Sequence, residues 1–289
     1  MNFCFGLSRW RGVGGAPWGR AKAGLGLPKN AVTGRRYSGV NILILWGAVI
    51  EKGFPSQHWL TFRQALEIGG NVRKGERGTT ICYADRFIPQ AEIERAAKDG
   101  DAAEAVPFLK RFTVFNVAQC DGLARLQGEP EPLPEREIIP HAEALIAATG
   151  ADFRIGGDRA FYSPSGDFIQ VPPQPAFFEQ INFYRTCYHE LSHWSGAKHR
   201  LNRDLSGSFG SKSYGREELV AEMASAFICA SLNIIPTVRH ADYLASWLEI
   251  IREDNRAIFR AASQASKAAD FILSFQESGT ASSAREAAA

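Results

Sequence analysis

The chain has 289 residues, 45% of them hydrophobic and 22% charged, with a net charge of +2. This is an ordinary globular composition, and the length favours two domains over one. The longest apolar stretch, ILILWGAVI (42–50), is far below the roughly 20 residues needed to span a bilayer, which excludes a membrane partner. The charge is unevenly placed. Residues 1–90 hold 13 Lys and Arg against 4 Asp and Glu, and the remainder holds 20 against 27, so the basic amino-terminal part suits a polyanion and the acidic remainder another task. Five cysteines (Cys4, Cys82, Cys120, Cys187, Cys229) lie singly, with no C-x-x-C pair. That pattern fits buried thiols in a reducing compartment. The opening MNFCFGLSRWRG has too short an apolar run for a signal peptide, so a cytoplasmic location is expected.

In chain order, residues 1–25 are rich in Gly, Arg and Trp without a period and are expected to be poorly ordered. GLPKNAVTGRRYSG (26–39) is turn-rich. VNILILWGAVIEKG reads as a mostly buried helix stopped by Gly53. A second helix, TFRQALEIGG, has Thr61 as N-cap and Gly69-Gly70 as its stop. NVRKGERG is a basic turn. TTICYADRF (79–87) and FLKRFTVFNVAQC (108–120) read as paired strands, with the acidic 90–106 between them as an exposed insertion. The Pro- and Glu-rich QGEPEPLPERE (127–137) marks a linker. The expected fold is therefore α+β in two domains, 26–126 and 138–275. The second opens with a helix at about 138–149, then has short strands at DFRIG, RAFYS and DFIQVP. Helices follow at about 177–198, 216–232 and 241–274, and the tail 276–289 is low in complexity and expected to be disordered.

The chemistry is concentrated in YHELSHWSG (188–196). His189 and His193 are four apart, one helical turn on one face, which suits two imidazoles on one metal ion. Glu190 follows the first histidine and is placed to take a proton from water activated by zinc, one Zn2+ per chain. A third ligand must come from elsewhere. REELVAEMASAF (216–227) carries Glu217, Glu218 and Glu222 on a helix whose Ala221, Ala224 and Ser225 allow close packing. Glu218 is the expected ligand. Glu222, on the same face, would hold a histidine N–H, and Glu217 would point to solvent. Two His and one Glu leave a position open for water, a catalytic geometry. DFIQVP could serve as an edge strand for an extended peptide. Tyr162, His199 and Tyr214 are weaker candidates to stabilise an oxyanion, each better explained as structural.

The basic part interleaves cations with aromatics: Arg35, Arg36, Tyr37, Trp59, Arg63, Arg73, Lys74 and Arg77. Cations track phosphates and rings stack on bases, so single-stranded DNA with little sequence preference is the expected partner. Trp46, inside an apolar helix, reads as core.

These blocks together resemble a known family. LPKNAVTGRRYSGVNILILW, WLTFRQALEIGGNVRKGERGTT, FTVFNVAQCDGL, HELSHWSGAKHRLNRDLSGSFGSKSYGREELVAEMASAF and EDNRAIFRAASQASKAADFIL are similar, in this order, to the ArdC-type antirestriction proteins of conjugative plasmids and related mobile elements. The resemblance covers about 26–275 and departs at the start, where a Pro-Trp segment usually seen twice stands once, at Pro17-Trp18. It implies a single-stranded-DNA-binding domain followed by a zincin-like metallopeptidase domain, with the metal motif on His189, Glu190 and His193 and the glutamate helix at 217–222. Three functions are compatible with it. The first is an antirestriction factor that coats incoming strands and acts against host restriction machinery. The second is a DNA-recruited metalloprotease with a protein substrate. The third is a single-strand-binding protein whose zinc site is not catalytic.

Overall fold

The computed structural model describes residues 26–126, 135–207, 211–234, 254 and 256–286. The expected disorder of 1–25, most of the linker (127–134) and residues 241–253 of the last expected helix lie outside them.

The amino-terminal half is built on a four-stranded sheet of order β1-β2-β5-β4. Its members are β1 (Lys29–Asn30), β2 (His58–Leu60), β4 (Thr79–Phe87) and β5 (Val106–Asn116). β4 and β5 form a long antiparallel hairpin, in register from Thr79↔Val114 to Phe87↔Val106. Helix α1 (Val40–Lys52) covers its base and ends where Gly53 enters the left-handed region (φ 66°) and returns its N–H to Val49. Helix α2 (Phe62–Glu67) begins in a reciprocal capping box between Thr61 and Gln64. A small ladder pairs β3 (Asn71–Val72) with β6 (Cys120–Asp121).

The acidic 90–106 is a largely exposed insertion, and within it Gln90–Asp99 forms a helix, α3, closed by Gly100. One expectation for this half changes. The strand expected over 108–120 stops at Asn116. There the Asn116 side chain accepts from the Ala118 N–H, the Gln119 side chain accepts from the Asn116 N–H, and a short 3-10 turn replaces the ladder.

Among the described residues, the carboxy-terminal half has a three-stranded sheet and four helices. The strands are β7 (Asp152–Ile155), β8 (Phe161–Ser163) and β9 (Phe168–Val171), and the helices are α4 (Glu135–Ala148), α5 (Gln180–Ser195), α6 (Lys212–Ser231) and α7 (Ala257–Glu286). The sheet order is β7-β9-β8. DFIQVP is thus the central strand, its backbone used on both sides, and cannot pair with a peptide. The edge beside α5 is β8. Helix α7 continues to Glu286, beyond the expected end at about 274; the Ala- and Ser-rich sequence contains no proline to stop it. Helix α4 starts inside the expected linker, at Glu135. Ile169, Tyr184, Tyr188, Leu191, Phe227 and Ile272 fill the shared interior.

Helix α1 serves both halves. Leu45, Ala48 and Val49 face the amino-terminal core with Trp59, Ile81 and Val114. Ile42 is buried in the carboxy-terminal core. Trp46 stands edge-on to Phe227 of α6 at 5.6 Å and donates its N–H to the Gly26 carbonyl at 3.0 Å. Gly39, just before α1, donates to Ser266 Oγ of α7 at 2.8 Å. Among the described residues no helix is long and apolar enough to cross a membrane. Trp46→Ala removes a half-buried ring from this junction and should cost about 3 kcal/mol in urea unfolding, the low end of the range for losing an aromatic from a core.

Candidate metal centre

Helix α5 is buried on nearly every face: Tyr184 to Leu191 are all enclosed. Its burial explains a weak amphipathic signature in sequence, since sheet, α4, α6 and α7 surround it. Tyr184 donates to Glu143 Oε1 at 2.7 Å and Tyr188 to the Ala142 carbonyl at 3.1 Å. These bonds fix the rotation of α5 against α4. The opposite side meets α6, which approaches closely because Ala221 and Ala224 are small and fully buried. Ser225 Oγ donates across the gap to the Arg185 carbonyl at 3.3 Å.

This packing brings three donor groups together. His189 Nε2 and His193 Nε2 are 3.2 Å apart. The Glu218 carboxylate straddles them, Oε2 at 3.4 Å from His189 Nε2 and Oε1 at 3.4 Å from His193 Nε2. Donors placed tetrahedrally about 2.0–2.1 Å from one ion stand about 3.4 Å apart, so the residues fit a divalent cation. Among the described residues this trio is the group of His, Cys, Asp and Glu able to hold one. Glu218, the expected third donor, is the carboxylate that faces both rings. Glu222 Oε1 lies 3.8 Å from His189 Nδ1, on the back of that ring. Glu190 is also buried.

Glu217 corrects the sequence reading. It does not face solvent: its side chain is 11% exposed, and Oε1 lies 3.2 Å from His193 Nδ1. The same carboxylate takes a two-pronged bond from Arg203, Nη2 to Oε1 at 2.7 Å and Nε to Oε2 at 3.1 Å. Arg203 in turn donates to Ser195 Oγ at 3.0 Å and to the Ser192 carbonyl, tying the loop after α5 back to the histidine turn. A Cβ on Gly196 would stand 2.8 Å from Arg203 Nη2, so the glycine ending YHELSHWSG makes room for this guanidinium. The sequence signal for both was only an Arg fourteen residues before a Glu. Spacing on α6 had favoured the pair sharing a face and set Glu217 aside.

The electrostatics are tightly coupled. Burial pulls the pKa of His193 down. Hydrogen bonds that His193 donates to Glu217 and Glu218 and the charges of Glu190 and Glu218 outweigh that and push it up to about 10. Burial raises the pKa of Glu218, but the two histidines hold its carboxyl well below the usual range. The site without metal therefore favours a charged pair in the interior.

The other expected residues fall elsewhere. Tyr162 donates to Asp167 at 2.8 Å and is bonded by Arg200, whose guanidinium stacks 3.9 Å from the Trp194 ring; His199 is exposed beside Asp167. Tyr162 and His199 thus belong to a cluster that fixes the β8–β9 turn to the end of α5. Burial and the bond to Asp167 push the Tyr162 hydroxyl up to about 12. Tyr214 is half-buried in the first turn of α6.

Of the basic and aromatic set, Trp59 is fully buried in the amino-terminal core, which removes it as a stacking platform. Tyr37 is half-buried against the same core. Arg35, Arg36, Lys74 and Arg77 are exposed. Arg63 pairs with Glu67 at 2.9 Å. Arg73 is held by Glu76 and by the Ala118 carbonyl, both at 2.8 Å. The structure does not gather these residues into one stacking site.

Comparison with known proteins agrees with this arrangement. Residues 10–115 match the family model described as the N-terminal domain of anti-restriction factor ArdC, and residues 140–264 the one described as a zincin-like metallopeptidase. An uncharacterised protein of Sinorhizobium fredii, y4eC, is 42% identical over 277 residues, covering 94% of this chain and 89% of that protein. DNA primase TraC of Escherichia coli is 39% identical over 274 residues, but these span 90% of this chain and 25% of TraC. Among solved structures, a plasmid's antirestriction ArdC protein superposes with a TM-score of 0.73 in its metal-free form, at 38% identity over 86% of this chain and 88% of that one. Its Mn(II)-bound form superposes at 0.71 and 39% identity.

Two outcomes follow from the geometry. Glu217→Ala strips a carboxylate from His193 and leaves the Arg203 guanidinium, 5% exposed, without its partner. It should cost about 3 kcal/mol in urea unfolding and weaken divalent-ion binding about 10- to 100-fold by calorimetry. The second outcome concerns pH. A histidine whose folded pKa is raised stabilises the fold fully below its unfolded value of 6.5 and loses that contribution as pH climbs toward about 10. In chelator, the melting temperature should fall across this window, and a saturating divalent ion should flatten the decline.

Proposed function

The chain belongs to the ArdC-type antirestriction family, and on that premise we propose that it binds single-stranded DNA through its amino-terminal half and one divalent ion through His189, His193 and Glu218. The reading is that of a mobile-element antirestriction protein acting in the cytoplasm on incoming strands, without strong sequence preference. The carrying observation is the donor trio: three groups from two helices, at the mutual spacing of ligands on one ion.

Zinc suits two imidazoles and a carboxylate, and so do other divalent ions, since the affinity order of such sites does not single zinc out. A bound ion supplies Lewis-acid polarisation and a more acidic water. The chain's own residues do the rest. Glu218 and the histidines would hold the ion, Glu217 holds the back of the His193 ring while Glu222 stands 3.8 Å behind that of His189, and Glu190 would receive a proton at its buried carboxylate. The burial of Glu190 beside the trio favours a second reading, in which the protein is a DNA-recruited peptidase acting on proteins bound to the strand. Strand β8 is then the edge on which an extended substrate would lie.

The experiment is metal content by mass spectrometry on purified protein, together with oligonucleotide binding. Wild type should carry one divalent ion per chain, and His193→Ala should lose it while DNA affinity stays within about twofold. Glu190→Gln should keep both metal and DNA, and lose any hydrolysis of DNA-bound protein by about 10²-fold or more. A wild type free of metal after exposure to Zn2+ and Mn2+ overturns the metal reading.

A further inference from the structure

The β4–β5 hairpin is longer than the core it serves. Its register puts Ile81 opposite Phe112, Tyr83 opposite Lys110, Asp85 opposite Phe108 and Phe87 opposite Val106. Directly opposed residues share a face, so all of these lie on the side that α1 covers at the base. Ile81 and Val114 are buried there. Further out the cover ends and the apolar pattern does not: Phe112 is 43% exposed, Tyr83 46% and Phe87 49%.

The rings form a continuous series. Tyr83 lies 6.3 Å from Phe112 and 6.3 Å from Phe108, and Phe87 lies 5.8 Å from Phe108. Lys110 stands over the Phe108 ring at 5.1 Å. The Tyr83 hydroxyl, whose pKa is raised first by its bond to Asp85, also feels the charge of Arg35.

We propose that this aromatic face of the β4–β5 hairpin, flanked by Lys110 and Arg35, is where single-stranded DNA stacks. The proposal rests on the reading that the chain binds such DNA, and it gives that reading a surface. Alternate residues along a strand are about 6.8 Å apart, a step that an extended sugar-phosphate backbone can follow from ring to ring. Every base has a π-face, so such a platform is sequence-tolerant, and the flanking cations serve the phosphates. A dry protein partner fits less well, because Lys110, Asp85 and the Tyr83 hydroxyl sit within the face and charged groups are depleted at the centre of protein interfaces. Asp85 is occupied by the Tyr83 hydroxyl and the Arg86 N–H. Phosphates therefore run on the Lys110 and Arg35 side, and the acidic helix α3 beyond the tip limits the footprint.

The test is fluorescence anisotropy with a labelled oligothymidine on the full chain over a salt series. Each ring removed should weaken binding about 5- to 100-fold, so the combined Tyr83→Ala, Phe87→Ala, Phe112→Ala variant should lose measurable affinity. A ring-keeping variant, Tyr83→Phe with Phe87→Tyr and Phe112→Tyr, should stay near wild type, which separates stacking from folding. Lys110→Ala should lower the slope of log affinity against log salt by about one. If wild type binds and the alanine variant binds equally, the DNA lies elsewhere and the inference falls alone. A change of oligomeric state with DNA affinity intact also overturns it, in favour of a protein-docking face. No binding by wild type removes the DNA reading itself.

Discussion

Four carboxylates and two imidazoles share the interior between α5 and α6. Glu190, Glu217, Glu218 and Glu222 are all largely removed from water, as are His189 and His193. Charge buried in this way is costly unless it is paired. Arg203 answers one carboxylate. Protonation of His193 answers part of the rest; with His193 neutral instead, three lone-pair donors converge on one point and a divalent cation balances the charge. Much of the carboxy-terminal half follows from serving that point. Ala221 and Ala224 let the helices close to donor distance. Gly196 lets Arg203 through. Tyr184 and Tyr188 fix the rotation of the histidine helix.

The same helix that carries the glutamates also meets the amino-terminal half. Phe227 lies on α6 about three turns beyond Glu217, and Trp46 of α1 packs on it. The other side of α1 is the floor of the β4–β5 hairpin through Leu45, Ala48 and Val49. The two halves are therefore not beads on a linker. One helix contributes to both cores, and its backbone entry is bonded to α7 through Ser266.

The parts of this architecture legible in the sequence were those with a short-range cause. His189, Glu190 and His193 are readable because a helical turn alone sets their spacing. Thr61 is readable as a cap because its capping-box partner is three residues away. The two-domain α+β class was also accessible, from the charge asymmetry and the proline-rich break. What was hidden depends on contacts distant in sequence. The inward turn of Glu217 needs Arg203, and the centrality of β9 needs the parallel partner β7. The extension of α7 past 275 went unread because low complexity was taken for disorder, although nothing in Ala281–Ala284 opposes a helix.

Trp59 and the hairpin rings show why side-chain chemistry does not by itself locate a surface. All are aromatics in the amino-terminal half, and composition ranks the tryptophan as the best stacker. Its place on β2, a short strand paired on both sides and roofed by α1, buries it completely. Tyr83, Phe87 and Phe112 are on strands too, and on the side of the sheet that α1 covers. They are exposed because α1 is 13 residues long, about 20 Å, and the β4–β5 ladder outruns it. Exposure here is decided by the length of a neighbouring element. Lys52 at the carboxy end of α1 reaches the Arg77 carbonyl at the base of the hairpin, and Asn41 at the amino end bonds the Cys82 backbone. The end nearest the rings is therefore where α1 begins, at Gly39, whose N–H bonds Ser266 of α7, and the rings beyond Cys82 are left uncovered.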